Sequence, residues 1–173
     1  SDAFRVVFAN NVMSVRGIRS PLIPYLTAHQ YEALVASGGI GHFGETLRDE
    51  VMRYGAEAKR IAEREQFDII HAHDWLSFPA GVAAKRVSGK PLIAHVHATE
   101  FDRTGGQGAN QEVYEIEKWG MEQADKVVAV SHLTKNMIIA QYGIAPEKIE
   151  VVYNAVDDAI ACGGNIHPFS FPG

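Results

Sequence analysis

The sequence predicts an α/β protein with a Rossmann-like, doubly wound, mostly parallel sheet that carries helices on both faces. Two short apolar runs, residues 67–70 and 91–94, flank a segment whose apolar residues recur at helical spacing. Buried parallel strands read as continuous apolar runs, which is the pattern here. The same strand–helix order continues to residue 153, and repeated β–α units favour a parallel sheet.

The remaining elements follow from capping residues, apolar spacing and turn residues. Thr27 is placed to cap a helix that runs to Ser37, and Ser131 is placed to cap another helix that Gly143 ends. An irregular tail or linker is expected after a single domain of residues 1–157. The other predicted strands are 4–9, 126–130 and 149–153, the other predicted helices are 44–66 and 111–123, and the tail covers 158–173.

The composition argues against several classes of protein. The 173 residues carry a formal net charge of −5 and no long basic run, so neither nucleic acid nor an anionic membrane surface is an expected partner. Cys162 is the sole cysteine, which rules out an internal disulfide framework. No apolar run approaches the roughly 20 residues that span a bilayer. A cytoplasmic protein without a membrane span is therefore expected.

Residues 39–44 match the letters of the G-x-G-x-x-G dinucleotide fingerprint. That fingerprint requires a strand directly before it, and here a helix is predicted instead. A connector between two helices is the simpler interpretation, so no nicotinamide or flavin cofactor is expected.

Four of the eight histidines fall at the ends of the two central strands. Side chains alternate along a strand, so His71 and His73 share one face of theirs, and His95 and His97 do likewise. Polar residues that end parallel strands collect at the ligand crevice of an open α/β sheet. Charged residues join the histidines there: Asp74, Glu100, Asp102 and Arg103.

Three interpretations of this cluster compete. The imidazoles and Asp74 can hydrogen-bond sugar or phosphate groups, they can bind zinc or iron, or the deeper histidines can be buried and bonded to backbone. We expect the structural role for His71 and His95, which lie one step deeper in the strands, and a functional role for Asp74 and His97. No metal site is predicted, because alternation puts at most two histidines per strand on one face and no further ligand stands at metal-binding spacing.

Two other segments also admit a functional and a structural interpretation. The free amides after Ser131, at a helix N-terminus, can hold an anion, although Ser131 can equally be only a cap. Tyr114, Glu115 and Glu117 are most simply a solvated helix face. Trp75 is expected in the core or in the crevice wall.

Several motifs taken together resemble one family. The segments FDIIHAHDW, PLIAHVHATEFDRTGG, ADKVVAVSHLTKNMI and YGIAPEKIEVVYNAVD occur in the order and at the spacings of the amino-terminal domain of retaining glycosyltransferase family 4. These are the glycogen-synthase-like transferases of the two-domain GT-B fold, and the similarity covers most of residues 24–157. The resemblance implies transfer of a sugar from an ADP- or UDP-linked nucleotide-sugar to a glucan or other sugar acceptor, with retention of configuration.

The resemblance also implies roles for individual residues. His97 matches the family histidine that contacts the donor sugar near its anomeric carbon, and Asp74 matches the acidic residue that lines the same cleft. Both are expected to be catalytic. No metal or organic cofactor is implied, since the nucleotide-sugar is a substrate. The residues expected to bind substrate are His73, Glu100, Arg103 and Ser131.

Two parts of the family pattern are not recognisable in the sequence: the opening strand with its glycine-rich loop, and the second domain that binds the nucleotide. We therefore expect the acceptor-side half of an enzyme, which binds a carbohydrate acceptor and is inactive alone. The alternatives are a metal-dependent hydrolase that uses the two His-x-His pairs and a non-catalytic sugar-binding module.

Overall fold

A computed structural model describes residues 16–23, 26–37, 43–106 and 108–155 of the protein. The predicted strand 4–9 and the tail 158–173 lie outside the described residues. No helix within the described ranges is long and apolar enough to cross a membrane. The helices are α1 (Ala28–Ala36), α2 (Leu47–Ala62), α3 (Asp74–Ser88), α4 (Glu100–Arg103), α5 (Gln111–Gln123) and α6 (His132–Met137). Helix α6 continues as a π-helical turn (Ile138–Tyr142). The strands are β1 (Ile70–His73), β2 (Leu92–Val96), β3 (Lys126–Ala129) and β4 (Ile149–Val151).

The four strands form one parallel sheet in the order β1-β2-β3-β4. This confirms the predicted α/β class with a Rossmann-like parallel sheet. The chain crosses from β1 to β2 through α3, from β2 to β3 through α4 and α5, and from β3 to β4 through α6. Right-handed crossovers between consecutive parallel strands place these crossover helices on the same face of the sheet. Gly81 of α3 packs on Ala72 and Leu92 there, and Tyr142, in the third crossover, bonds to Glu117 of α5. The described residues therefore contain one of the two windings of a doubly wound sheet.

The helix-covered face of the sheet holds the apolar core. Leu92, Ala94 and Val127 are almost fully buried on this face, and each large apolar side chain there contributes roughly 1.5–3 kcal/mol through its burial. The helices also pack closely on one another. A Cβ atom on Gly120 of α5 would lie 2.6 Å from the Cβ of Phe78 in α3, so no side chain fits between these two helices.

Threonine caps determine where the first two helices begin. Thr27 caps α1, as predicted. Thr46 caps α2: its Oγ1 accepts from the amide of Asp49 at 3.1 Å, and the Asp49 carboxylate accepts from the amide of Thr46 at 3.1 Å. This capping box satisfies two backbone amides at the helix start. The helix predicted at 44–66 therefore begins at residue 47, and it ends at residue 62.

The largest correction to the predicted elements concerns β1. The strand predicted at 67–70 ends where the actual strand begins, since β1 pairs with β2 from Ile70↔Leu92 to His73↔His95. Similarly, β2 continues to Val96 instead of ending at residue 94. Backbone pairing, rather than the apolar run, sets the length of both strands. Three of the four histidines are therefore strand residues, and they sit on paired strands.

Candidate functional site

The four histidines of the central strands form a two-by-two array on the sheet face opposite the crossover helices. His71 and His73 belong to β1, His95 belongs to β2, and His97 follows it. Their rings are mostly stacked, with centroids 4.3–5.3 Å apart. Two nitrogen pairs connect the strands: His71 Nε2 lies 3.1 Å from His95 Nδ1, and His73 Nδ1 lies 3.0 Å from His97 Nε2.

The expectation that His71 and His95 are buried and bonded to backbone is wrong. His71 is exposed and His95 is half-buried, and the two rings bond to each other. The reason is their position on the face of the sheet that the crossover helices do not cover. Within the described part of the chain, the Nε2 atom of His95 is buried and has no hydrogen-bond partner.

The array favours uncharged imidazoles. Burial lowers the pKa of His95 to about 4, and the neighbouring histidines act in the same direction. Burial also lowers the pKa of His71 and of His73, again with help from neighbouring histidines, whereas Asp74 opposes the shift at His73. A proton on one ring disfavours a proton on the next. At neutral pH these three rings are therefore neutral hydrogen-bonding groups.

Asp74 joins the ends of β1 and β2. Its Oδ1 accepts a hydrogen bond from the backbone amide of His97 at 2.8 Å. Among the described residues, Asp74 is the one non-glycine residue with a positive φ, 57°, and this left-handed conformation costs about 1–2 kcal/mol. Strain of this kind persists where the surroundings fix it, and it clusters at functional sites. The predicted placement of Asp74 and His97 in one crevice, at the carboxyl edge of a parallel sheet, is confirmed.

A cavity of about 510 Å³ opens at this edge of the sheet. Small-molecule sites typically measure roughly 300–1,000 Å³, so a sugar-sized ligand fits. Trp75 is buried and contributes to the wall, as expected. Polar groups from His73, Asp74, His97 and Arg103 reach the cavity. The remaining lining residues are Leu22, Ile23, Tyr54, Leu76 and Ser77.

Arg103 of α4 lines the cavity as predicted, but its guanidinium is already engaged. Nε donates to Glu100 Oε2 at 3.1 Å, Nη1 donates to the carbonyl of Ala98 at 2.8 Å, and Nη2 donates to the carboxylate of Glu117. Burial opposes its charge, but the two carboxylates outweigh burial and raise the pKa of Arg103. Glu100 is buried, accepts from the amide of Asn110 at 3.0 Å, and lines a second cavity of about 240 Å³ instead.

The prediction that Glu117 lies on a solvated helix face is wrong. Its side chain is buried, and its carboxylate accepts from the Arg103 guanidinium, the Tyr142 hydroxyl and the Glu100 amide, the last at 3.1 Å. Burial raises the pKa of Glu117, and these donors offset part of the effect. The sequence does carry a signal: Glu117 stands three residues before Gly120, on the apolar side of α5.

Sequence reasoning also missed the burial of the Glu50 carboxylate of α2. It accepts from Arg53 at 2.6 and 2.7 Å, from the Ser20 hydroxyl at 2.6 Å and from the Gly44 amide at 3.0 Å. Burial alone would raise the pKa of Glu50, but these four donors outweigh it and lower the pKa. The bond to Ser20 fixes the segment that supplies Leu22 to the cavity wall. Only the i,i+3 spacing to Arg53 was visible in the sequence.

Ser131 is the N-cap of α6. Its Oγ accepts from the amide of Thr134 at 3.0 Å and lies 2.9 Å from the Thr134 hydroxyl. Ser131 is not among the described residues that line the cavity beside Asp74 and His97. The capping interpretation is confirmed, whereas substrate binding by Ser131 stays a prediction.

Known proteins share this sequence pattern. A profile of Glycosyltransferase Family 4 matches residues 19–160. Glycogen synthase from Mycobacterium tuberculosis is 28% identical over 114 residues, which cover 63% of this chain and 28% of that enzyme. D-inositol 3-phosphate glycosyltransferase from Acidothermus cellulolyticus is 32% identical over 109 residues, which cover 60% of this chain and 24% of the relative.

A solved structure shares the fold. Anabaena HepE in complex with UDP-glucose superposes with a TM-score of 0.51 and 22% sequence identity, over 61% of this chain and 28% of that chain. The sheet is thus of the Rossmann-like type found in GT-B glycosyltransferases. The chain belongs to Glycosyltransferase Family 4, and the match spans about a quarter of the length of the relatives named above. These similarities do not favour the metal-dependent hydrolase or the non-catalytic module.

Proposed function

We propose that this chain is the acceptor-side half of a transferase that moves a sugar from a nucleotide-sugar to a carbohydrate acceptor, with retention of configuration. Family membership supports the reaction class. The observation that carries the proposal is the hydrogen bond from the His97 amide to Asp74 at 2.8 Å. It fixes His97 at a cavity of suitable size, and a positioned polar group is what stabilises developing charge in a transition state.

Asp74 and His97 have different roles in this proposal. His97 contacts the donor sugar near its anomeric carbon, through its imidazole or its backbone carbonyl. Asp74 is a positioning residue, because one carboxylate oxygen is used to hold the His97 backbone. His73 supports the His97 ring through their 3.0 Å nitrogen contact.

The donor phosphates bind mainly to a second domain in this proposal. Among the described residues that line the cavity, only Arg103 carries a fixed positive charge, and each of its three nitrogens has a protein acceptor. A departing nucleoside diphosphate needs fixed donors for its charge. UDP-glucose is the first donor to test, since HepE was solved with it, and ADP-glucose is the second.

The test combines sugar binding with turnover by the purified 173-residue chain. Glucose and maltooligosaccharides are titrated and followed by protein NMR, and release of UDP or ADP is measured with both donors present. We expect weak acceptor binding in the cavity that His97 lines. Loss of one or two hydrogen bonds from the imidazole should make this binding roughly 10-fold weaker in His97→Ala. No multiple turnover is expected. His29→Ala, on the exposed side of α1, is the matched control and should bind sugar normally.

Two further variants separate the hydrogen bond that Asp74 accepts from the effect of its negative charge. The carbonyl oxygen of Asn can still accept from the His97 amide, so Asp74→Asn should retain most of the sugar binding. Asp74→Ala should lose it. Absence of saturable sugar binding would contradict the acceptor-side assignment. Multiple turnovers that His97→Ala abolishes would show a complete site in this chain and contradict the half-enzyme assignment.

A further inference from the structure

The histidine array contains a group of metal-binding atoms, two of whose three residues, His71 and His95, have no part in the proposed transfer reaction. One ring nitrogen from each of His71, His73 and His95 lies within 4.8 Å of the other two. We propose that these three histidines form a binding site for a divalent transition metal ion of the zinc, cobalt or nickel class. No hydrolytic reaction is part of the proposal.

The spacing of the ring nitrogens suits a single ion. Nitrogens bound to one tetrahedral zinc, each about 2.0–2.1 Å from the metal, lie roughly 3.4 Å apart. His71 Nε2 and His95 Nδ1 are 3.1 Å apart, and the three ligand nitrogens all lie within 4.8 Å of one another. All three residues sit on paired strands, with His73 directly opposite His95. Sites on regular elements hold their ligands more accurately than sites on loops.

His95 has unused bonding capacity. Its Nδ1 contacts His71, whereas its Nε2 is buried and unpartnered among the described residues. A buried polar atom without a partner costs about 1–3 kcal/mol. Coordination of a metal ion through Nε2 satisfies that atom, whereas coordination through Nδ1 replaces the contact with His71.

His97 supplies an outer contact of the kind that metal sites use. Histidine ligands usually bond their second ring nitrogen to a neighbouring group, which fixes the tautomer and the ring orientation. His73 Nδ1 is 3.0 Å from His97 Nε2, which leaves Nε2 of His73 for a metal. The backbone of His97 is held in turn by Asp74. His71 and His73 are both exposed, so an ion can enter from solvent.

The ligand set also selects the class of metal. Three imidazoles suit zinc, cobalt, nickel and copper, whereas magnesium and calcium prefer oxygen ligands. The expectation of no metal site came from counting histidines on each strand separately. Parallel pairing of β1 with β2 brings both His-x-His pairs to one face, so a third imidazole becomes available.

The experiment is a calorimetric titration of the untagged 173-residue chain with zinc chloride, repeated with cobalt(II) while its visible absorption is recorded. We expect stoichiometric, submicromolar zinc binding and the intense d–d bands of tetrahedral cobalt. His71→Ala and His95→Ala should each weaken zinc binding by about 10-fold or more, since even outer contacts of a metal site are worth that much. His29→Ala should bind as tightly as the unaltered chain, and magnesium should give no heat.

Circular dichroism of each metal-free variant checks that it folds, and exposed His71 carries the test if His95→Ala does not fold. Two results would overturn the proposal. One is the lack of saturable zinc binding to the unaltered chain. The other is stoichiometric binding that a folded His71→Ala variant retains in full. The sugar-binding titration does not involve zinc, so failure of the metal-site proposal and failure of the transferase proposal are distinguishable.

Discussion

Two buried glutamates support two parts of the cavity wall, and their surroundings differ. Glu50 ties the segment containing Ser20 to α2, and Glu117 holds Arg103 of α4 in place. Both are paired with an arginine. The Glu50 side chain is fully buried and Glu117 retains 4% of its exposure, whereas Arg53 retains 28% and Arg103 retains 19%. The arginine of the first cluster is therefore closer to water than the arginine of the second.

The pKa values of the two carboxyls move in opposite directions. Glu50 receives two bonds from Arg53 together with a hydroxyl and an amide, and these outweigh burial and lower its pKa. Glu117 accepts hydrogen bonds from one arginine nitrogen, a hydroxyl and an amide. Here the effect of burial is larger than that of the donors, so the pKa of Glu117 is raised. A partner charge therefore does not by itself compensate the burial of a carboxylate. The number of donors and the remaining access to water decide the outcome.

The largest effect is expected from Glu117→Ala. Removing the carboxylate leaves the half-buried Arg103 guanidinium without its main partner and the Tyr142 hydroxyl without its acceptor. Breaking a buried ion pair in this way costs about 3–5 kcal/mol of unfolding free energy. Urea denaturation measures the loss. Glu115→Ala, an exposed position on the same helix, should change stability by less than about 0.5 kcal/mol. Equal losses in the two variants would contradict the assignment of Glu117 to a buried network.

Glu50→Ala should have a smaller effect, about 1.5–3 kcal/mol, typical of lost hydrogen bonds to a charged group. Its partner Arg53 can turn towards water after the substitution. The control is Glu57→Ala, because Glu57 and Arg60 form the same i,i+3 pair in the same helix, also at 2.6 Å, but are exposed. Such a surface pair contributes at most about 1 kcal/mol. If both variants lose the same stability by urea denaturation, burial is not what distinguishes the two pairs.

Local signals in the sequence were sufficient for the helix caps and for part of the site. Thr27 and Ser131 cap helices as predicted, because a cap depends on residues within one turn. Asp74 and His97 meet because the carboxyl ends of parallel strands share an edge, which follows from the fold class alone.

Contacts between distant segments were not predictable in this way. The pairing of β1 with β2 extends both strands beyond their apolar runs and places His71 against His95, 24 residues away. The partners of Glu117 lie 14 and 25 residues away, at Arg103 and Tyr142. A glutamate on the apolar side of a helix is a hint of burial, but its partners are set by how the helices pack. For that reason the burial of Glu50 and of Glu117 was not predicted.

The smallest expected effect, and the sharpest test of the comparison, is the pH dependence of stability in Glu50→Gln and Glu117→Gln. Glu50 has a pKa below its ordinary value of 4.5 in the folded state, so its ionised form stabilises the fold above pH 4.5, and this contribution is lost as the pH falls through the folded-state pKa. The stability advantage of the unaltered protein over Glu50→Gln should therefore shrink on acidification from pH 7 to pH 4.

Glu117 has a raised pKa, so the folded state holds its proton more tightly, and stability falls as the pH rises from 4.5 through the folded-state pKa. The advantage of the unaltered protein over Glu117→Gln should accordingly grow on acidification. Urea denaturation of all three proteins at several pH values between 4 and 7 measures both differences in unfolding free energy. If the two differences change with pH in the same direction, Arg103 and Tyr142 compensate the burial of Glu117 as fully as the four donors compensate that of Glu50.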